Sequence, residues 1–166
     1  NAHPPFNWAT FRLLAAHRGL VVATIWGSLF RGIHFTILTY LILFMTEELE
    51  LSMVAAGGYM ATAYVVSLGA RIAWGAVSDF LFEARRLPVC GIVGMLAAAG
   101  LAGTGMMGNW LPDRALIIIV VLLGASTLSW AGLYTNLVGE MVSPEKFGTA
   151  LGTSGTVTTV IALIMP

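Results

Sequence analysis

The sequence predicts an all-α fold, a polytopic transmembrane helix bundle of about five membrane-spanning helices. Hydrophobic residues make up 58% of the 166 residues, charged residues make up only 10%, and the mean hydropathy is +0.88. A soluble domain contains about 25% charged residues, so this chain has too few to cover a surface in water. Its apolar stretches are also too long and too many for a soluble protein with unusually apolar helices.

The apolar segments can be taken in order, since a membrane helix requires roughly 20 mostly apolar residues. We predict helices over residues 20–45, 52–75, 89–107, 115–138 and 148–166. Ser52 suits an N-cap, and Ser143 followed by Pro144 suits the cap and first position of the fifth helix. Residues 1–19 are predicted to be a cytoplasmic lead-in. Residues 20–166 form the bundle, which we expect to be incomplete because the chain stops inside an apolar run.

The short connections between the segments contain most of the charged residues, and their distribution predicts an orientation. With the N-terminus in the cytoplasm, the basic residues of the cytoplasmic side are Arg12, Arg18, Arg71, Arg85, Arg86 and Lys146. Arg114 then lies outside and Arg31 lies within the membrane. Because basic residues concentrate in cytoplasmic loops, we expect an integral protein of the plasma (inner) membrane with a cytoplasmic N-terminus.

Several classes of protein are disfavoured by composition and motifs. The net charge is zero and no basic run is present, so we expect no nucleic-acid partner. The single cysteine, Cys90, excludes an internal disulfide and a multi-cysteine metal site. The sequence has no H-E-x-x-H, no G-x-S-x-G, no paired intramembrane acids and no glycine-rich phosphate loop. We therefore expect no enzyme activity, metal or cofactor.

The connection after the second predicted helix contains the most specific string of the chain. Residues 69–86 read GARIAWGAVSDFLFEARR. This string resembles the signature loop of the major facilitator superfamily of transporters, G-x-L-A/S-D-R-x-G-R-R, and the matching residues are Gly75, Ser78, Asp79, Arg85 and Arg86. The resemblance implies that this loop is a conformational switch, which in the family holds helices together in one of the alternating states. A generic positive-inside turn is the alternative interpretation.

The loop also departs from the family pattern. Phe80 replaces the family's arginine, Phe82 replaces its glycine, and two extra residues precede Arg85. Such a degenerate loop is commoner in the C-terminal half of these carriers, particularly in those similar to the organic phosphate antiporters. Residues 140–152 likewise resemble the joint between the tenth and eleventh helices of the family. The resemblance therefore implies the C-terminal half of a carrier, with the N-terminal half as its missing partner.

Arg31 lies near the middle of the first predicted helix. A charge at that depth costs about 2.5–3.5 kcal/mol on insertion scales, so such residues usually face a water-filled cavity or a partner. A small and polar stripe shares its face of the helix, namely Thr24, Gly27, Ser28, Arg31 and His34. No carboxylate lies within the five predicted spans, which favours an anionic substrate. The alternatives are an acidic partner in the missing half, or snorkelling of the side chain.

Three further residues are candidates for the substrate site. His34 lies beside Arg31 on the same face, although a lone histidine in a helix is more often a hydrogen-bonded packing residue. In the fourth predicted helix, Trp130 and Tyr134 share a face with Ser126 and Thr127. Aromatic and hydroxyl groups on one face suit either a substrate cavity or helix packing. In the organic phosphate antiporters, an arginine of the seventh helix binds the substrate phosphate, and the resemblance implies this role for Arg31.

The function most consistent with these features is secondary active transport of a small solute by alternating access of two halves, with organic anions as the candidate substrates. The expected partners are the small-molecule substrate, the lipid bilayer and the missing half. The alternative is a carrier-like membrane sensor, which binds the solute without transporting it.

Overall fold

The structure is a computed structural model that describes residues 17–83, 85–107, 112 and 114–164. Over these residues the chain forms six α-helices and no β-strand. They are α1 (Arg18–Glu47), α2 (Met53–Leu81), α3 (Arg86–Met106), α4 (Ala115–Ser126), α5 (Trp130–Glu140) and α6 (Pro144–Ala162). The predicted lead-in up to residue 16, including Arg12, lies outside the described residues.

Four segments of the described chain are long and apolar enough to cross a membrane. They are α1, α2, α3 and the segment Ala115–Glu140 that contains α4 and α5, with mean hydropathies of 1.5, 1.3, 1.8 and 2.2. The prediction of an all-α transmembrane bundle is confirmed. Helix α6 has 19 residues, among them several threonines and glycines, and is not one of the four. Its passage across the membrane stays a prediction.

Helix boundaries follow local chemistry at two of the predicted starts. The Ser52 side chain accepts a hydrogen bond from the Ala55 backbone N–H over 3.2 Å, which satisfies one of the free donors at the start of α2. Pro144 is the first residue of α6, as expected, but the Ser143 side chain makes no capping bond to the helix backbone. The Glu145 carboxylate instead accepts hydrogen bonds from its own backbone N–H and from the Ser143 hydroxyl. Both bonds stabilise the charged form and hold the pKa of Glu145 below its ordinary value.

The chain divides into two compact units, the first comprising residues 1–32 and 134–166 and the second residues 33–133. In the second unit, α4 packs against α2 and α3. Helix α4 is apolar on all sides, which suits a helix surrounded by neighbours. Its side chains contribute Leu116, Ile119, Val120 and Leu123 to the core of this unit. The closest approach is at Gly124, where a Cβ would lie 2.5 Å from the Ala63 carbonyl oxygen.

In the first unit, α1 contacts α5 where Gly27 meets the Tyr134 ring, and it contacts α6 where Arg31 bonds to Thr159. Leu20 and Ala23 are buried on α1, and so are Thr24 and Ser28 of the predicted polar stripe. Each of these two hydroxyls donates to the backbone carbonyl four residues earlier, over 2.7 Å. The hydroxyl hydrogens are therefore satisfied within the helix, and the oxygen lone pairs remain available to neighbours.

The fourth predicted span differs from expectation because it is broken. Helix α4 ends at Ser126 and α5 begins at Trp130, with a turn over residues 127–129. The hydroxyls of Ser126, Thr127 and Ser129 donate to the carbonyls of the preceding turn, over 2.6, 2.7 and 2.5 Å. Such side-chain bonds compete with the regular helical ladder and often bend a helix. Three of them within four residues account for the break.

Candidate functional site

Arg31 lies near the middle of α1, in the first unit, and is partly buried. Its Nη1 atom donates a hydrogen bond to the Thr159 hydroxyl of α6 over 2.8 Å. The same hydroxyl donates to the Gly155 carbonyl over 2.8 Å. Because the Thr159 hydrogen is used within its own helix, the oxygen faces Arg31 as an acceptor. Thr159 therefore orients the guanidinium without neutralising its charge.

Tyr134 of α5 lies in the same unit, 3% exposed. Its phenol is next to the hydroxyls of Thr24 and Ser154 and close enough to Arg31 to interact electrostatically. Gly27 makes this possible, because a Cβ there would lie only 2.6 Å from the Tyr134 ring. The structure thus brings Arg31 and Tyr134 together in one polar cluster, which we call the Arg31 cluster: Thr24, Arg31, Tyr134, Ser154 and Thr159.

His34 and Trp130 belong to the second unit. The His34 Nδ1 atom lies 3.1 Å from the Thr127 carbonyl oxygen, in the break between α4 and α5. A carbonyl only accepts, so Nδ1 carries the hydrogen in this contact. Trp130 is the first residue of α5 and is 4% exposed. In this structure His34 thus contacts the break, and Trp130 is buried where the break ends.

An ion pair joins the end of α2 to the start of α3. The residues that were predicted to form a connection after residue 75 belong to α2 as far as Leu81, and the connection itself covers residues 82–85. The carboxylate of Asp79, near the end of α2, accepts from Arg86 Nη1 over 2.7 Å at the first residue of α3. The Arg86 side chain is 11% exposed and that of Asp79 is 52% exposed. Arg86 also donates to the Gly75 carbonyl, at 3.5 Å. A short charge-assisted bond with one partner mostly buried links the end of α2 to the start of α3.

The other residues of this loop are arranged differently. Ser78 is fully buried, and its hydroxyl donates to the Arg85 carbonyl over 3.4 Å. The Arg85 side chain is 76% exposed and lies 4.0 Å from the carboxylate of Glu83, which is 87% exposed. Such a surface pair contributes little to stability. Of the two arginines, Arg86 is therefore the one that connects the helices.

Two residues of α2 have contacts that the sequence analysis did not anticipate. Arg71 was placed on the cytoplasmic side, near the end of the predicted helix 52–75; it lies inside α2 and donates from Nη2 to the Leu128 carbonyl over 3.2 Å. Trp74 donates from Nε1 to the Ala125 carbonyl over 2.6 Å. The sequence feature that could have indicated a shared contact is the spacing of Arg71 and Trp74, because residues three apart lie on the same face of a helix.

Metal binding finds no support in the described part of the chain, where no group of three His, Cys, Asp or Glu side chains is placed to hold an ion. In the described helices, the acidic residues lie at or near helix ends: Glu47, Asp79, Glu140 and Glu145. The cationic centre of the Arg31 cluster is thus set among hydroxyl groups at mid-helix depth.

The apolar spans describe a polytopic integral membrane protein, with a polar cluster around an arginine in the middle of one span and an ion pair at the end of another. The chain matches the sequence profile of the Major Facilitator Superfamily over residues 2–166 and belongs to that family. This membership assigns the chain to membrane transport, with a small-molecule substrate handled within a lipid bilayer. No curated protein and no solved structure matched the chain.

Proposed function

We propose that this chain is the C-terminal half of a secondary carrier that transports an organic anion by alternating access. The observation that supports the proposal most strongly is the Arg31–Thr159 hydrogen bond of 2.8 Å near the middle of a membrane-spanning helix. A guanidinium is always charged and has five N–H donors in a planar fork that matches carboxylate and phosphate groups. One of its nitrogens is fixed by a neutral hydroxyl, so the group is oriented while its charge is kept.

The Arg31 cluster supplies further recognition. The hydroxyls of Thr24 and Ser154 lie next to the phenol of Tyr134. The phenol can donate to an oxyanion, whereas the two hydroxyls, whose hydrogens are used by the carbonyls of Leu20 and Leu151, can accept from a substrate hydroxyl. We propose that Arg31 binds the anionic group of the substrate and that Tyr134 contacts the adjacent part of it. His34 and Trp130 are proposed as secondary contacts, available when the helices around the break rearrange.

The loop between α2 and α3 is the proposed conformational switch. Asp79 and Arg86 form its ion pair, Ser78 and Gly75 supply backbone and hydroxyl contacts, and Arg85 remains at the surface. If the ion pair forms in only one of two helix arrangements, that arrangement is stabilised by the free energy of the ion pair. The loop would then affect the rate of the transport cycle more than the affinity for the substrate.

The proposal is tested with the full-length carrier reconstituted into proteoliposomes. Uptake of a panel of radiolabelled phosphate esters and carboxylates is measured with the same anion, or another, preloaded inside the vesicles. Stimulation of uptake by the internal anion would support antiport of an organic anion. Binding of an anion without any uptake would favour the carrier-like sensor. If uptake is confined to neutral or cationic solutes, the proposed substrate class is wrong.

The orientation is a separate proposal, with the N-terminus in the cytoplasm of the plasma (inner) membrane. It is supported by the basic residues at the ends of α1, α3 and α6 that would share the cytoplasmic side, namely Arg18, Arg85, Arg86 and Lys146. Labelling of single cysteines at Arg18 and Arg114 with a membrane-impermeant reagent, in a Cys90→Ser background, tests it. Labelling of the Arg18 site from outside intact cells would contradict it.

A further inference from the structure

The break between α4 and α5 is held by side chains from two other helices. Three backbone carbonyls of this segment accept hydrogen bonds from side chains of other helices. Ala125 accepts from Trp74 Nε1 over 2.6 Å, and Leu128 accepts from Arg71 Nη2 over 3.2 Å. The third is the Thr127 carbonyl, which lies 3.1 Å from His34 Nδ1. All of these residues belong to the second unit.

The spacing of the donors matches the spacing of the acceptors. Arg71 and Trp74 are three residues apart on α2 and therefore lie on one face, about one turn apart. Ala125 and Leu128 are also three residues apart, across the end of α4. Two helices that lie side by side can form both bonds together only in this register. The pair of bonds therefore fixes the broken segment against α2 along its length.

The chemistry of the donors also fits a helix end. The last carbonyls of a helix lack partners within the helix and form the negative end of its dipole. An indole N–H can only donate, and a guanidinium adds a positive charge to its hydrogen bond. In a membrane, carbonyls at a helix break must find partners in the protein, since lipid provides none. Arg71 and His34 supply such partners to Leu128 and Thr127, and at Ala125 the bond from Trp74 adds to the bond from the Ser129 hydroxyl.

We propose that Arg71, together with Trp74 and His34, is a positioning residue for transport, holding the break so that α5 begins at Trp130 in a fixed orientation. The inference rests on the proposed function of the chain in anion transport. Arg71 acts on the carbonyl of Leu128 and not on the substrate.

Arg71 is well suited to a test, because it is exposed and its replacement leaves no cavity. Arg71→Gln removes the charge, and Arg71→Lys keeps a cationic donor for the Leu128 carbonyl. Arg114→Gln is the matched control, since Arg114 is also exposed and flanks the other end of α4. Trp74→Phe, which removes the indole N–H and keeps an aromatic ring, is a second and independent variant.

Two measurements are made on the full-length carrier. The first is the turnover number and KM for uptake of the transported anion in proteoliposomes. The second is amide hydrogen exchange of the peptide covering residues 126–133, which requires no substrate. With Arg71→Gln we expect turnover to fall by about fivefold with KM within about twofold, and exchange in this peptide to accelerate, as for loss of one hydrogen bond. Arg71→Lys should restore most of the turnover, and Trp74→Phe should resemble Arg71→Gln.

Three outcomes would overturn the inference. They are unchanged exchange over residues 126–133 in Arg71→Gln, a raised KM with unchanged turnover, and an Arg114→Gln effect as large as that of Arg71→Gln. A raised KM would place Arg71 in the substrate site. If the wild-type carrier moves no organic anion, the proposed function fails by itself, and the exchange experiment still decides whether Arg71 holds the break.

Discussion

Arg31 of α1 and Thr159 of α6 are joined by a hydrogen bond of 2.8 Å from Nη1 to the threonine hydroxyl. The hydroxyl is itself held by its bond to the Gly155 carbonyl, one turn earlier in α6. A cation in the middle of a membrane span is thus oriented by a hydroxyl group that has no freedom to rotate toward another acceptor. This relationship is the basis of the first prediction.

Thr159→Val should weaken anion binding, because it removes the acceptor that orients Arg31 while keeping the shape of the side chain. The expected loss of affinity is about fivefold, corresponding to about 1 kcal/mol for one hydrogen bond. The matched control is Thr156→Val on the same helix, where the hydroxyl is exposed and donates to the Gly152 carbonyl. Equilibrium binding of the transported anion is the measurement, and equal affinities of the two variants would contradict the prediction.

Gly27→Ala should destabilise the carrier and lower anion binding together. A Cβ at Gly27 would lie 2.6 Å from Cε2 of Tyr134, so the ring must move. Overpacking of this kind costs about 1–3 kcal/mol. Gly152→Ala is the control, because a Cβ there meets nothing within 4 Å in the described structure. Thermal unfolding in detergent measures the difference, and an unfolding temperature of Gly27→Ala equal to that of Gly152→Ala would be inconsistent with the packing.

Gly124→Ala should destabilise the second unit without directly affecting the Arg31 cluster. Its Cβ would lie 2.5 Å from the carbonyl oxygen of Ala63, a backbone atom that no rotamer change can displace. We expect a loss of stability of at least about 1–3 kcal/mol. Gly132→Ala has open space around its Cβ and should stabilise α5 by up to about 1 kcal/mol, through the higher helix propensity of alanine. In thermal unfolding, the unfolding temperature should fall for Gly124→Ala and rise for Gly132→Ala. Equal shifts of the unfolding temperature would argue against the close approach of α4 to α2.

Asp79→Asn should slow transport more than it weakens binding. The variant loses the charge of the 2.7 Å bond to Arg86, whose side chain is only 11% exposed, and we expect turnover to fall by about tenfold. Glu83→Gln is the control in the same loop, since its contact with Arg85 is 4.0 Å long and exposed, and little change is expected. Initial uptake rates and equilibrium binding are compared. If Glu83→Gln slowed uptake as much as Asp79→Asn does, the ion pair of Asp79 would have no special role in transport.

The membrane-spanning helices were predictable because they depend on local sequence. Long apolar runs require helices in lipid, and Ser52 caps α2 as its residue type indicates. The polar stripe was also visible from helical periodicity, and the structure buries Thr24 and Ser28 on it. These features need no knowledge of which helices become neighbours.

The break in the fourth span and its donors were not predicted, because they depend on contacts between distant parts of the chain. Arg71 and Leu128 are 57 residues apart, and Trp74 and Ala125 are 51 apart. Hydropathy alone makes residues 115–140 the most apolar segment, which suggests one continuous helix. The hydroxyl residues Ser126, Thr127 and Ser129 were the sequence signal for a bend. Likewise, nothing local indicated that Arg31 would meet Thr159.

The most direct test of the account is the affinity of the full-length carrier for its transported anion with Arg31 replaced. Equilibrium binding is compared for the wild type, Arg31→Ala, Arg31→Lys and the control Arg18→Ala, which removes an exposed arginine from the same helix. We predict that Arg31→Ala lowers affinity by at least about tenfold, or about 1.4 kcal/mol, that Arg31→Lys recovers little of it, and that Arg18→Ala binds as the wild type does. Undiminished affinity in Arg31→Ala would contradict the assignment of the Arg31 cluster as the anion site.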